Sequence, residues 1–366
     1  MSLNSQYEKN PSVVVAGYDD QAYQGYDEIV QALNQAMHGK RSLVIDCYPG
    51  VRVEEIIERL VSPMGITDVF LFDDVFVSGE EITKKIERHL TDDRVFGILS
   101  NHRLEEFVDQ EALDRLKESI KKCDLYCVIG VGASLVGSAD VLVYADLARW
   151  EIQQRYRSQE IGNWKCSNHK EDILRKYKRG FFVEWRMADR HKRDVFARFD
   201  FLLDTNTQND PKLVTSTAFL DGLKQTSLQP FRTVPFFDPG VWGGQWMKEV
   251  CRLDPGKENY AWCFDGVPEE NSLLLQYGET IVQVPSIDLV FMQAGNLLGE
   301  SVHARFGLEF PIRFDFLDTM DGQHLSLQVH PLTEYIQENF GMHYTQDESY
   351  YILDAKDDGT VYLGVK

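Results

Sequence analysis

Residues 125–147 read LYCVIGVGASLVGSADVLVYADL, two short apolar runs on either side of a glycine-rich segment. Runs of this length and composition are typical of strands that are buried on both faces. Similar runs alternate with segments of helical periodicity from residue 13 to residue 147. This alternation predicts βαβ units, and therefore an α/β domain with a mainly parallel sheet over residues 1–228.

Three further segments complete the expected order of elements in this domain. We expect SVVVAGY at 12–18 and VFGILS at 95–100 to be strands of the parallel sheet. We expect residues 104–121 to form one long helix, because their apolar side chains recur with helical spacing.

Ligands of parallel sheets bind at the carboxyl ends of the strands. The turn after Ile45 contains Asp46, Pro49 and Gly50, where a phosphate loop would lie. It lacks the lysine and the second glycine of the GxxxxGK[ST] motif, whose backbone amides and lysine hold phosphates. The segment GVGASLVG at 130–137 has three glycines but no complete dinucleotide fingerprint. It is a weak indication of a phosphate site.

A basic segment follows the predicted sheet strands. Residues 149–198 contain 14 Lys and Arg against 7 Asp and Glu, a local charge of +7 in a chain of net charge −20. Two interpretations are open: a solvated helical surface with ion pairs, or a lid whose arginines bind an anion such as phosphate.

The segment VYADLARWEIQQRYR, with YKRGFFVEWRMADRHKRDVFARFDFLLDTN after it, resembles the lid and last strand of the uridine-kinase and phosphoribulokinase group of P-loop kinases. The matching positions are Asp146, Arg149, Arg155, Arg157, Asp200 and Asp204. The resemblance implies Arg149, Arg155 and Arg157 as phosphate-binding candidates. Because the Walker A lysine is missing, it implies a degenerate or sensing domain more than an active kinase.

The periodicity and composition of the sequence change after residue 228. Short aromatic runs separated by Gly, Pro and Asp predict an all-β second domain over residues 229–366, with LVFMQAG at 289–295 among its strands and TVYLGV at 360–365 as the last of them. The one helix expected there covers about residues 332–339.

Near the end of the chain, HLSLQVHP at 324–331 alternates apolar and polar residues. As a strand it would place Gln328 and His330 on one face. Glu348 lies eighteen residues after His330, at the start of the predicted strand ESYYILDA. An amide oxygen, an imidazole nitrogen and a carboxylate suit Zn²⁺, with Fe, Mn or Co as substitutes. A solvated sheet face remains the alternative from the pattern alone.

Residues 230–366 resemble class I mannose-6-phosphate isomerases, a cupin-type zinc enzyme family, in VWGGQW, in LSLQVHP and in ESYYIL. The resemblance implies a cupin-like jelly-roll barrel and one zinc ion per chain, held by Gln328, His330 and Glu348. It implies a fourth ligand, a histidine, and a catalytic arginine beyond Lys366, so we expect an incomplete barrel from a longer protein. Arg313, Asp315 and Tyr350 are the pocket candidates.

The implied activity is the interconversion of mannose 6-phosphate and fructose 6-phosphate. The alternatives are a nucleoside or sugar kinase-like phosphotransferase and a non-catalytic regulator that binds a sugar phosphate. The partner expected in each case is a small sugar phosphate.

The net charge of −20 argues against nucleic acids and anionic membranes as partners. No apolar run approaches the roughly 20 residues of a membrane span, and the six cysteines form no CxxC pair. We therefore expect a cytoplasmic protein with free thiols.

Overall fold

The computed structural model of the protein describes residues 6–356, 359–362 and 364. The strands in this part of the chain are β1 (Ser12–Val14), β2 (Ala22–Gln24), β3 (Ser42–Cys47), β4 (Asp68–Leu71), β5 (Tyr126–Gly130), β6 (Val141–Asp146), β7 (Phe201–Asp204), β8 (Lys212–Thr215), β9 (Phe236–Asp238), β10 (Trp262–Gly266), β11 (Ser272–Tyr277), β12 (Thr280–Pro285) and β13 (Phe314–Leu317).

The helices in the same part are α1 (Gly25–Ala36), α2 (Val53–Ile56), α3 (Gly79–Leu90), α4 (Gln110–Ile120), α5 (Arg149–Arg157), α6 (Ile173–Arg179), α7 (Trp185–Val195), α8 (Ser216–Ser227), α9 (Trp246–Val250), α10 (Ile287–Leu298), α11 (Glu300–Phe306) and α12 (Thr333–Phe340). Turns of 3₁₀ helix lie at Phe72–Val75, Leu104–Phe107 and Ala133–Val136, and π-helical turns lie at Ile57–Val61 and Gly180–Glu184.

A seven-stranded sheet in the order β2-β8-β7-β6-β3-β5-β4 forms the centre of the molecule. The five strands from β7 to β4 are parallel, while β8 and β2 add an antiparallel edge. Every residue of β3, β5 and β6 is buried, because helices cover both faces of the sheet. The predicted α/β class with a mainly parallel sheet is therefore confirmed.

Two details of this part differ from the prediction. The expected helix over 104–121 is a 3₁₀ turn followed by α4, because Val108 is extended and the Asp109 side chain caps the Ala112 amide at 3.1 Å. The expected strand VFGILS at 95–100 has no regular secondary structure.

The segment SVVVAGY does contain a strand, but β1 lies outside the central sheet. It pairs in parallel with β11, which forms a hairpin with β12. The hairpin packs against α8 and α10, and its side chains belong to the same hydrophobic core as the parallel sheet. The boundary after residue 228 stays a prediction, and the segments on its two sides share this core.

Helix α8 approaches the hairpin closely at Gly222. A Cβ atom there would lie 2.7 Å from the Tyr277 hydroxyl oxygen and 3.1 Å from Cγ2 of Val15. The backbone of α8 therefore packs directly against side chains of β11 and of the segment after β1.

The region after residue 228 is a mixture of strands and helices, so the expectation of a single helix there is wrong. Helix α12 confirms the predicted helix, but α9, α10 and α11 precede it. The predicted strand LVFMQAG is part of α10, an apolar helix buried against α8 and the hairpin. A short apolar run fits a buried helix as well as a buried strand, so periodicity did not separate them.

Strands β13, β10 and β9 form an antiparallel sheet. LSLQVHP and ESYYILDA, expected as strands, have no regular secondary structure. The described strands form open sheets and close no barrel, and part of the predicted last strand, TVYLGV, lies outside the described residues. Over the described ranges, no helix has the length and apolar character that crossing a bilayer requires.

Candidate functional site

The carboxyl edge of the parallel sheet is lined by aspartates. Asp146 and Asp204 are the last residues of β6 and β7, Asp46 is the last residue but one of β3, and Asp73 lies in the turn after β4. The chain leaves β3 toward β4 on one side and leaves β6 toward β7 on the other, so a topological switch point lies between β3 and β6. In folds of this type the switch point is where ligands bind.

At this edge, the glycine-rich loop after β5 holds a carboxylate of the protein itself. The backbone amides of Gly132 and Ser134 donate to the two Asp46 carboxylate oxygens at 3.0 and 2.9 Å. Gly132 has a φ of +75°, which lets the loop turn its amides inward. Donors of the kind that would hold a phosphate therefore bind Asp46.

His191, from α7, completes the environment of Asp46. Its Nε2 lies 2.7 Å from Asp46 Oδ2, and both side chains are buried. Burial alone would raise the pKa of Asp46, but the charge and hydrogen bond of His191 and the Ser134 donors lower it overall. Burial alone would lower the pKa of His191. The charge and hydrogen bond of Asp46 have the larger effect, so the pKa of His191 is raised overall. The pair is therefore a buried ion pair.

The next residue of α7, Lys192, bridges two carboxylates. Its Nζ lies 2.8 Å from Asp146 Oδ1 and 3.0 Å from Asp288 Oδ1. Asp288 is in the first turn of α10. The ammonium also lies 4.7 Å from the ring centroid of Tyr48. Burial and the nearby Asp146 raise the pKa of Asp288 well above its ordinary value, although Lys192 opposes the shift. This bridge ties α10 to the carboxyl edge of the sheet.

Two of the three predicted phosphate-binding arginines, Arg149 and Arg155, lie buried near the switch point. Arg149 forms an ion pair with Asp189, and its guanidinium carbon lies 5.3 Å from the Trp185 ring centroid. Arg155 donates to the Gly50 carbonyl at 2.7 Å and to the Thr205 carbonyl at 3.0 Å. Their contacts link α5 to the turn after β3 and to the end of β7.

The third predicted arginine, Arg157, is partly exposed. Its two terminal nitrogens lie 2.9 and 2.8 Å from the two Asp238 carboxylate oxygens of β9. It also lies over the Trp150 ring, 4.9 Å from the centroid. All three arginines thus have protein partners in this structure, and phosphate binding by them stays a prediction.

Of the predicted zinc ligands, two lie together. His330 Nε2 is 2.6 Å from Glu348 Oε2, and both side chains are partly exposed. Gln328 lies two residues before His330 in the same segment, is exposed, and is in irregular structure and not in a strand. In the described part of the chain, no group of three or more His, Cys, Asp or Glu side chains is arranged to hold a metal ion. His330 and Glu348 are therefore the part of the predicted set that the tertiary structure brings together.

The pocket candidates divide between two environments. Tyr350 is about half exposed, and partial desolvation together with the nearby Glu348 carboxylate raises its pKa to about 12. Burial and the Glu348 charge raise the pKa of Asp315, so Asp315 lies on the same side as Glu348. Arg313 instead donates to Glu269 Oε1 at 2.5 Å. Two of the three candidates thus lie near Glu348.

The sequence interpretation missed the role of α7, which supplies Asp189, His191 and Lys192 to the carboxyl edge. These three side chains are buried, which neither interpretation of the basic segment, a solvated surface or an anion-binding lid, anticipated. Their partners Asp46 and Asp146 are 145 and 46 residues away, a separation that spacing rules do not address.

The fold and the carboxyl-edge network define a mixed α/β protein whose parallel sheet carries an ion-paired edge. Residues 25–228, from α1 to the end of α8, match the family described as a domain of unknown function (DUF8485). The match spans more than half of the chain, and the protein belongs to this family. No curated protein matches the chain.

Proposed function

We propose that the protein is a metal-dependent aldose–ketose isomerase that interconverts mannose 6-phosphate and fructose 6-phosphate. The observation that carries the proposal is the 2.6 Å contact between His330 Nε2 and Glu348 Oε2. These are two of the ligands implied by the resemblance of residues 230–366 to class I mannose-6-phosphate isomerases. Two residues that the resemblance implies as ligands of one ion thus lie in contact, which supports the proposal.

The donor chemistry of this pair fits zinc. An imidazole nitrogen and a carboxylate oxygen that already converge are suitable neighbours on one Zn²⁺ ion, and the amide oxygen of Gln328 would be the third ligand. A zinc ion bound there would supply positive charge to polarise the sugar oxygens during isomerisation.

The neighbouring side chains orient the ligands. The Tyr350 hydroxyl lies near the Glu348 carboxylate, where partial desolvation and that carboxylate raise its pKa, while His330 Nε2 is held 2.6 Å from Glu348 Oε2. Hydrogen bonds to a ligand from its neighbours set its direction and basicity. Asp315 adds negative charge beside Glu348, which favours a cation between the two segments.

Phosphoryl transfer by residues 1–228 has less support. The glycine-rich loop donates to Asp46, and Arg149 and Arg155 bind protein acceptors. A nucleotide would have to displace these buried contacts, each of which costs free energy to break. The geometry therefore favours isomerisation over the phosphotransferase alternative.

The test is an isomerase assay with the full natural protein loaded with zinc, in which fructose 6-phosphate formed from mannose 6-phosphate is measured by a coupled reaction. We expect turnover in the wild type, loss of turnover in His330→Ala and Glu348→Ala, and retention in His324→Ala, an exposed histidine on the same segment. Absence of both bound zinc and turnover in the wild type would refute the proposal.

A further inference from the structure

The exposed side of α7 carries a row of arginines. Arg186, Arg190 and Arg193 are spaced i, i+4 and i+7 and therefore lie on one face of the helix. All three are partly exposed, whereas the buried His191 and Lys192 side chains leave the helix on the other side.

The loop before the 3₁₀ turn at Leu104–Phe107 adds a fourth arginine. Arg190 donates to the Ser100 carbonyl at 2.7 Å and to the His102 carbonyl at 3.1 Å, which holds this loop against α7. Arg103, the next residue of the loop, forms an ion pair with Asp194 of α7. We call Arg103, Arg186, Arg190 and Arg193 the arginine cluster.

Two members of the cluster keep donors free. The guanidinium carbon of Arg193 lies 5.4 Å from the Phe291 ring centroid. Its Nε is buried and has no hydrogen-bond partner among the described residues. Arg186 uses its Nε on the Phe181 carbonyl at 3.3 Å. In the part of the chain described, its two terminal nitrogens form no hydrogen bond. A buried guanidinium donor without a partner is costly, so an acceptor is expected there.

The ion-paired carboxylates of the cluster are fewer than its cations. Among the described residues, Asp194 and Glu105 form ion pairs with the cluster, both with Arg103, and no carboxylate forms an ion pair with Arg186, Arg190 or Arg193. The four guanidinium groups therefore exceed their ion-paired carboxylates by about two at neutral pH. Like charges at i, i+4 on a helix repel each other, and the effect is seen in the lowered pKa of Arg190, which follows from burial and then from its arginine neighbours. A protein of net charge −20 has no general excess of cations to account for this arrangement.

We propose that the arginine cluster binds a phosphate dianion, either free or as the phosphate group of a small metabolite. A phosphate group carries about two negative charges near neutral pH, which matches the excess charge of the cluster. Guanidinium groups bind phosphate oxygens through paired hydrogen bonds, and Arg186 and Arg193 have the donors for them. This site uses none of the side chains proposed for zinc, and it does not depend on the proposed isomerase activity.

The test is isothermal titration of the full chain with inorganic phosphate, with glucose 6-phosphate, and with glucose as the uncharged control, all at one ionic strength. We expect binding of the two phosphate compounds and none of glucose. In R186Q/R193Q we expect affinity to fall by about 100-fold, because two charge-assisted interactions are lost. Tighter binding of the ester than of inorganic phosphate would identify a metabolite as the ligand.

The matched control is R115Q, which removes an exposed arginine on α4 outside the cluster and should leave binding unchanged. In a phosphate-free chloride buffer, R186Q/R193Q should have the same thermal unfolding temperature as the wild type or a higher one, because the repulsion between arginines on α7 is relieved. His330→Ala should bind phosphate as the wild type does, which separates this proposal from the zinc site. Absence of phosphate binding in the wild type, or equal binding in R186Q/R193Q, would overturn it.

Discussion

Asp46 at the end of β3 and His191 in α7 form a buried ion pair, with His191 Nε2 and Asp46 Oδ2 2.7 Å apart. The same carboxylate accepts the backbone amides of Gly132 and Ser134. One side chain thus fixes both the glycine-rich loop after β5 and the helix that covers the carboxyl edge. The three side chains do not form a serine–histidine–aspartate relay through the ring, because one nitrogen, His191 Nε2, faces both Asp46 and the Ser134 hydroxyl, the latter at 3.4 Å.

Removal of one member of this pair should destabilise the protein strongly. We expect Asp46→Asn to lower the free energy of unfolding by about 3–5 kcal/mol, because it leaves a buried charged imidazole without its partner. Urea unfolding of Asp46→Asn, His191→Gln and the double variant would measure the coupling between the two side chains. Additive losses in the double variant would show that the two residues do not interact.

The stability of the pair should depend on pH in a defined window. Asp46 has a lowered pKa, so its contribution is complete above its unfolded pKa of about 3.9 and is lost as pH falls through the folded value. His191 has a raised pKa, so its contribution is complete below its unfolded pKa of about 6.5 and is lost as pH rises through the folded value.

The difference in unfolding free energy between the wild type and the Asp46→Asn/His191→Gln variant should therefore be largest between about pH 4 and 6.5. Subtracting the double variant removes the contribution of groups that titrate equally in both proteins. Chemical denaturation at intervals from pH 4 to pH 9 would measure this difference. A difference that keeps growing up to pH 9 would contradict the ion pair.

Lys192 and Asp288 should respond very differently to substitution, although they are in contact. Lys192→Met leaves the buried carboxylate of Asp146 without its cation, and we expect a loss of about 3–5 kcal/mol. Asp288 has a pKa raised well above its ordinary value by burial and by Asp146, so a neutral amide is a close replacement. We expect Asp288→Asn to cost less than about 1.5 kcal/mol. Thermal and urea unfolding would compare them, and equal losses would refute this assignment.

The contact between α8 and the β11–β12 hairpin can be tested with two glycines in helices that touch each other. Gly222→Ala in α8 places a methyl group 2.7 Å from the Tyr277 hydroxyl oxygen, and we expect it to cost about 1–3 kcal/mol. Gly295→Ala in α10 meets no atom within 4 Å, and the better helix propensity of alanine should add up to about 1 kcal/mol. Urea unfolding would show opposite signs if α8 and the hairpin form one packed unit.

Zinc binding should depend on the two side chains that lie together. We expect His330→Ala and Glu348→Ala to lower zinc affinity by at least about 100-fold, since a lost ligand costs more than a lost outer hydrogen bond. His324→Ala serves as the control, because His324 is exposed on the same segment. Equilibrium dialysis followed by metal analysis would measure the affinity. Equal zinc content in all four proteins would place the metal elsewhere.

Some of the candidate residues were predictable because their signal is local in sequence. His330 and Glu348 were identified from two short sequence motifs, LSLQVHP and ESYYIL, and the structure places the two side chains in contact. The expected strand that would place Gln328 and His330 on one face does not form, because an alternating segment becomes a strand only where a neighbouring strand accepts its backbone hydrogen bonds, and no described strand pairs with it. Local pattern therefore identified the ligand types without determining their arrangement.

The amino-acid sequence by itself determined the parallel sheet, because β3, β5 and β6 are buried on both faces and only continuous apolar runs can fill such strands. The tertiary structure alone decided that LVFMQAG is helical, since packing against α8 selects between two conformations that an apolar run allows equally. It also decided which charges are internal. Asp46 and His191 are 145 residues apart, and a buried charge is stable only where folding brings its partner to it.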